Sequence, residues 1–81
     1  MIKVLFFAQV RELVGTDSLT LAADYPDVAA LRTVLSQQGE RWALALDSER
    51  LLAAVNQTLR PMTHPLRDGD EVAFFPPVTG G

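Results

Sequence analysis

Between Asp27 and Gly39 the sequence holds its one sustained amphipathic helix, and that helix limits what the chain can build. Tyr25-Pro26-Asp27 opens it, with Asp27 placed as the N-cap. Val28, Leu31, Val34 and Leu35 fall on one apolar stripe, and Gly39 reads as the stop. A single stripe covers one face of one small sheet. The rest of this 81-residue, single-domain chain must therefore supply that sheet and leave its second face to something else. Hydrophobic residues make up 48% of the chain, enough for a packed core without covalent staples, and no cysteine is present to provide one.

Strand patterning lies towards both ends. Ile2–Phe7 is apolar nearly throughout; Ile2, Val4 and Phe6 point one way, and Lys3, Leu5 and Phe7 the other. Ala8–Val14 has helical spacing at Val10, Leu13 and Val14 with Gly15 as a stop, which predicts a short helix or turn. Asp17–Ala22 alternates and predicts a second strand. After the main helix, Glu40–Leu46 predicts a second short helix carrying Trp42, and Leu51–Val55 a strand. Asn56-Gln57-Thr58 reads as a turn and Arg60–Pro65 as irregular, with room for one short strand. Arg67-Asp68-Gly69-Asp70 is a turn into the last strand, Glu71–Phe75, where Val72 and Phe74 oppose Ala73 and Phe75. This order predicts an α+β chain with a β-grasp, or ubiquitin-like, layout. The expected sheet is mixed, with about five strands, one main helix on one face and short extra helices. Its first and last strands are expected as parallel neighbours in mid-sheet. The β-grasp domain is placed at 1–75 and an extended, flexible tail at 76–81.

Charge narrows the partners. Ten acidic groups face seven basic ones, for a formal net charge of −3, and no basic cluster forms. Nucleic acid requires a positive footprint, so it is not expected as a partner. A protein with a basic docking surface is the better match. No apolar run reaches the ~20 residues of a membrane span, and the N-terminus lacks the basic and small-residue flanks of a secretory leader. The expected location is the cytoplasm, with no membrane partner.

The two apolar faces of the end strands raise the question of what covers the second one. If Val4, Phe6, Val72 and Phe74 face the helix, then Leu5, Phe7, Ala73 and Phe75 face away from it. Phe7 and Phe75 are read as docking residues; Leu5 is left open between docking and cover by Ala8–Val14. Arg11, close to Phe7, is a rim contact or a solvated arginine. The patch leads directly into FFPPVTGG. Pro76 and Pro77 favour an extended, semi-rigid path, Val78 and Thr79 are of modest size, and Gly80 and Gly81 have no Cβ. Six residues reach at most ~20 Å. Such a tail suits threading into a narrow site of another protein, with the Gly81 carboxylate at its tip.

Other residues carry no catalytic pattern. His64 is the one histidine and, without cysteine, implies no metal site. Asp68, Asp70 and Glu71 read as a turn entering a strand and lack the spacing of a calcium loop. Ser18, Ser36 and Ser48 have no nucleophile setting. Trp42 and Tyr25 read as core or half-core. Any chemistry is expected at the C-terminal carboxylate, inside a partner's site.

VLFFAQVRELVG (Val4–Gly15), RWALAL, LLAAVNQTL (Leu51–Leu59) and HPLRDGDEVAFFPPVTGG (His64–Gly81) together resemble the small, sulfur-carrying subunits of molybdopterin synthase, a ubiquitin-like family. The DGDEVAFFPPVTGG block is the most specific part; a bare Gly-Gly is shared with ubiquitin and with the thiamine-pathway carrier. The resemblance implies that an ATP-using activating enzyme adenylates Gly81 and that a sulfur donor converts the adenylate to a thiocarboxylate. The tail, Pro76 to Gly80, then enters the large synthase subunit and delivers sulfur to a cyclic pyranopterin monophosphate. It further implies a heterotetramer of two small and two large subunits, with Phe7, Arg11, Leu59 and Phe75 as partner-binding residues. No cofactor is expected on this chain. A protein modifier forming isopeptide bonds, a carrier for thiamine or tRNA thiolation, and a plain binding module are the alternatives; the single lysine, Lys3, gives little scope for chain building.

Overall fold

The computed structural model describes residues 1–77. Its elements are β1 (Ile2–Phe6), α1 (Ala8–Val14), β2 (Ser18–Leu21), α2 (Val28–Ser36), α3 (Glu40–Leu46), β3 (Leu52–Val55), β4 (Thr58–Arg60) and β5 (Glu71–Phe75). The five strands form one sheet in the order β2-β1-β5-β3-β4. β1 runs parallel to β5 and antiparallel to β2; β3 is antiparallel to both β5 and β4. The first and last strands are thus central, as expected, and the topology is the β-grasp.

Register separates the two faces. Val4 pairs with Val72 and Phe6 with Phe74, and all four are buried with Ile2, Ala53 and Val55. The helices close this face. Val28, Leu31 and Leu35 of α2, Ala45 and Leu46 of α3 and Val10 of α1 complete the core. Trp42 sets its edge against Phe6, with ring centroids 5.5 Å apart. Because Val10 joins this core, α1 lies on the helix side and does not cover Leu5.

Local chemistry explains where the helices begin and end. The Asp27 carboxylate accepts the Ala30 N–H at 2.8 Å, the expected N-cap, worth ~1 kcal/mol. Gly15 takes a left-handed φ of 80° and closes α1 by donating to the Arg11 carbonyl. Two boundaries differ from expectation. Asn56 and Gln57 complete the turn by themselves, so Thr58, expected within it, already begins β4, which ends at Arg60. α2 stops at Ser36, where the Gln37 and Gln38 N–H groups turn back to Val34 and Leu35. Gly39 instead opens α3, and its carbonyl accepts the Ala43 N–H at 3.0 Å. Two arginines tie the helices together through carbonyls at helix ends and just beyond them. Arg32 donates to Leu46 and Ser48, and Arg41 donates to Leu13.

The polar end of the sheet is a hydrogen-bonded knot. Asn56 and Gln57 both have positive φ, as a two-residue hairpin turn requires. The Asn56 amide donates to Asp70 Oδ1 at 2.9 Å and its oxygen accepts the Glu71 N–H at 3.0 Å. Asp70 Oδ2 accepts the Arg67 N–H at 2.8 Å. The Met1 ammonium pairs with Asp68, and the Gly69 N–H donates to the Met1 carbonyl.

Hydrogen bonds from Asn56 first, and from the Arg67 backbone second, hold the Asp70 carboxyl below its ordinary range. A depressed carboxyl contributes stability that is fully present above the unfolded pKa of ~3.9 and is lost as pH falls through the lower folded value. Asp70→Asn should therefore lower stability near neutrality by about 1 kcal/mol, screening included. The gap to the wild-type unfolding midpoint should close in acid. A gap unchanged between about pH 7 and about pH 2 would show that the carboxylate charge does not hold this turn.

Candidate docking face and tail root

The side of the sheet away from the helices carries one row that crosses all five strands. Ser18 pairs with Leu5, Leu5 with Ala73, Ala73 with Ala54 and Ala54 with Leu59. The next row, towards the C-terminal end of β5, holds Phe7, Phe75 and Leu52; Leu52 pairs with Phe75, and the Phe7 N–H donates to the Phe74 carbonyl at 3.2 Å. The row on the other side is polar, with Thr20, Lys3 and Glu71 in register. The open face is thus graded from charged at the turn end to aromatic where the tail begins.

Exposure varies within the apolar rows. Phe7 is 45% and Leu59 62% exposed, while Leu5, Leu52, Ala54, Ala73 and Phe75 are half-buried. Large exposed apolar side chains next to half-buried ones form the kind of contiguous patch that marks a protein interface. Of the residues read from the sequence, the fold brings Phe7 and Phe75 together and places Leu59 at the β4 edge of the neighbouring row. Arg11 is exposed on α1, one turn after Phe7, whose carbonyl accepts the Arg11 N–H at 3.3 Å. Leu52 and Ala54 were not singled out from the sequence. Alternation within β3 identifies them, since Ala53 and Val55 are buried.

Phe7 reaches this face through a backbone constraint. It is extended, with φ −126° and ψ 155°, and Ala8 then turns with φ +53°. A left-handed alanine costs ~1–2 kcal/mol. In return the chain leaves Phe7 on the open face and returns Val10 to the core three residues later.

The tail root is half-buried. Pro76 and Pro77 follow Phe75 directly and lie beside α1 and α3. Val78, Thr79, Gly80 and Gly81 lie outside the described residues.

Among the described residues no three His, Asp or Glu side chains gather where they could hold a metal ion, and no buried polar side chain lacks a partner. The displaced carboxyl pKa values belong to Asp70 and to Asp68, which the N-terminal ammonium lowers. Both sit in the turn at the opposite end of the sheet from Phe75 and serve structure. His64 lies in the loop between β4 and β5, which packs against the start of α2: its carbonyl accepts the Val28 N–H at 3.1 Å. No described helix is long and apolar enough to cross a membrane.

Residues 4–81 match the ThiS family. Over all 81 residues the chain is 72% identical to the molybdopterin synthase sulfur carrier subunit of Escherichia coli (strain K12), with 100% of both chains covered. It is 54% identical to the subunit of the same name from Haemophilus influenzae, again over the whole of both chains. Among solved structures it is similar to the protein–protein complex of subunits 1 and 2 of molybdopterin-converting factor from Helicobacter pylori 26695. The TM-score there is 0.69 and the identity 30%, covering 99% of this chain and 97% of that one. A match along nearly the whole sequence, carried on a β-grasp sheet with an open apolar face, places the chain in the ThiS family, among the molybdopterin synthase sulfur carrier subunits.

Proposed function

We propose that the chain is the sulfur-carrying subunit of a molybdopterin synthase and that its C-terminal carboxylate carries the sulfur. The observation that supports this most directly is the apolar open face that runs into the tail root. Phe7, Phe75 and Leu52 lie where β5 ends and Pro76 begins, so a protein that docks on them receives the tail. The large synthase subunit is that protein, and the Helicobacter pylori complex supports such a pairing. Leu59 extends the contact and Arg11 lies at its rim.

The chemistry follows from the end group. An ionised carboxylate, with a reference pKa near ~3.5, is a poor electrophile. An activating enzyme joins the Gly81 carboxylate to AMP from ATP and releases pyrophosphate. Sulfide-level sulfur from a donor then attacks the acyl carbon, the bond to AMP breaks and AMP leaves, so that a thiocarboxylate remains. With no cysteine in the chain, sulfur has no thiol to ride on. The tail enters the large subunit, where the thiocarboxylate sulfur bonds to a carbon of a cyclic pyranopterin monophosphate and the carbon–oxygen bond at that carbon breaks, its oxygen leaving as water or as the released phosphate ester oxygen. Hydrolysis of the acyl–sulfur bond restores the carboxylate. Two such transfers build a dithiolene. Acid and base groups come from the large subunit, two copies of which assemble with two of this chain in the cytoplasm. ATP belongs to the activating enzyme, and this chain holds no cofactor.

Intact mass after co-expression with the native activating enzyme tests the reading. One oxygen replaced by sulfur at the C-terminus is the expected result; adducts on lysines of other proteins would favour a modifier instead. Deleting Gly81, or adding one residue after it, should abolish sulfur loading and leave the unfolding midpoint unchanged. An extended variant that still carries sulfur without being trimmed would overturn the mechanism.

Phe7→Ala and Phe75→Ala should each weaken binding to the large subunit by ~1–3 kcal/mol, as aromatic anchors do. The monomer should lose much less than the ~3–5 kcal/mol expected for Phe74→Ala in the core. Calorimetry for binding and denaturant unfolding for stability separate the two; equal losses in both would contradict the assignment of faces.

Gly80→Ala leaves the reacting carboxylate chemically unchanged, so its effect is steric. In a narrow channel the added methyl should slow activation or transfer roughly five- to hundredfold, the equivalent of ~1–3 kcal/mol of overpacking. Adenylation and sulfur transfer are measured separately. Wild-type rates in both would remove the narrow channel from the mechanism.

A further inference from the structure

Pro76 and Pro77 also border a second surface, on the helix side of the tail root. A groove of about 170 Å³ runs between α1 and α3. Val10 and Leu13 line it from α1, Leu44 and Ala45 from α3, and the two prolines close its end. The volume compares with the ~150 Å³ of an apolar cavity that accepts benzene. Val10 and Ala45 form a buried floor, whereas Leu44 is 70% exposed, the most exposed large apolar side chain among the described residues. Shallower recesses continue the groove on both sides. One leads past Leu44 to Glu40 and Asp47; the other leads past Leu13 to Glu12 and Arg41. The rim therefore sets three carboxylates against one guanidinium, and the Nε of that guanidinium already donates to the Leu13 carbonyl.

The position of the groove identifies its occupant. Phe75 belongs to the open face, and the next two residues belong to the groove. A protein that encloses the tail thus meets both surfaces at the point where it surrounds Pro76 and Pro77. We propose that the groove is a second docking surface, which takes a large apolar side chain flanked by a lysine or arginine from a protein that takes up the tail. This rests on the sulfur-carrier reading above. The apolar side chain covers Leu44 on the Val10–Ala45 floor, and its basic neighbour faces Glu40 and Asp47. The tail root is then held from two sides.

The test uses the full chain with its native activating enzyme and its native large subunit. Leu44→Asp should weaken binding to at least one of them tenfold or more, and Leu44→Ala by less. The unfolding midpoint should stay put, because Leu44 is mostly in solvent. A Glu40→Lys/Asp47→Lys double variant should weaken the same complex and flatten its salt dependence. Phe75→Ala is measured in parallel. If Phe75→Ala weakens binding and Leu44→Asp leaves both affinities at the wild-type value, the groove is not a docking surface, although the open face still is. If neither variant has an effect, the sulfur-carrier docking geometry falls with it. Tighter binding by Leu44→Asp would assign the groove to the chain's own tail. Loss of a concentration-dependent dimer in sedimentation, with affinities unchanged, would assign it to a second copy. Each of these last two results overturns the proposal.

Discussion

The parallel pairing of β1 with β5 is the contact on which the rest of the molecule depends. It joins residues 2–6 to residues 71–75, almost the full length of the chain apart, and makes them the middle of the sheet. Val4 against Val72 and Phe6 against Phe74 form the centre of the core. The two phenylalanine rings stack with centroids 6.4 Å apart, and the helices close over them. The same register presents Leu5 and Ala73, then Phe7 and Phe75, to the other side. Core and docking face are therefore two sides of one pairing. A slip by one residue would exchange them, since side chains alternate along a strand.

That pairing also decides where the tail root lies. Because β1 and β5 run the same way, their ends lie together. The Met1, Asn56 and Arg67–Asp70 knot fastens one end through charge-assisted hydrogen bonds. The tail leaves from the other, next to Phe7. The groups whose protonation is displaced are thus kept in the structural knot, away from the tail.

Much of this was visible in the sequence because the signals were local. Asp27 lies one residue before an apolar stripe, and its carboxylate makes the cap that such a position invites. Gly15 follows the last helical residue of α1 and takes the left-handed φ that favours glycine there. Glu40–Leu46 is a helix with the expected ends. Alternation in the end strands sorted Phe6 from Phe7 and Phe74 from Phe75. Gly39 was misassigned because glycine serves at either end of a helix, and only the hydrogen bonds of Gln37 and Gln38 show that α2 has already closed. Ala8 gave no signal, since alanine does not ordinarily take a positive φ; the need to place Phe7 and Val10 on opposite sides of the sheet imposes it.

By itself the sequence determined the identity of most elements, the two faces of the end strands β1 and β5 and the turns that join them to their neighbours. All of these follow from periodicity and from the conformational preferences of proline and glycine, which act over a few residues. Tertiary structure decided what depends on distant residues meeting. Only the sheet order aligns Leu5, Ala73, Ala54 and Leu59 in one row, and adds Leu52 to the aromatic pair beside the tail. Only the packing of α1 beside α3 makes a groove whose end is formed by Pro76 and Pro77 and leaves Leu44 standing in solvent. A side chain's face is set by its neighbours along the chain; what it shares that face with is set by contacts that close over tens of residues, and no local pattern encodes them.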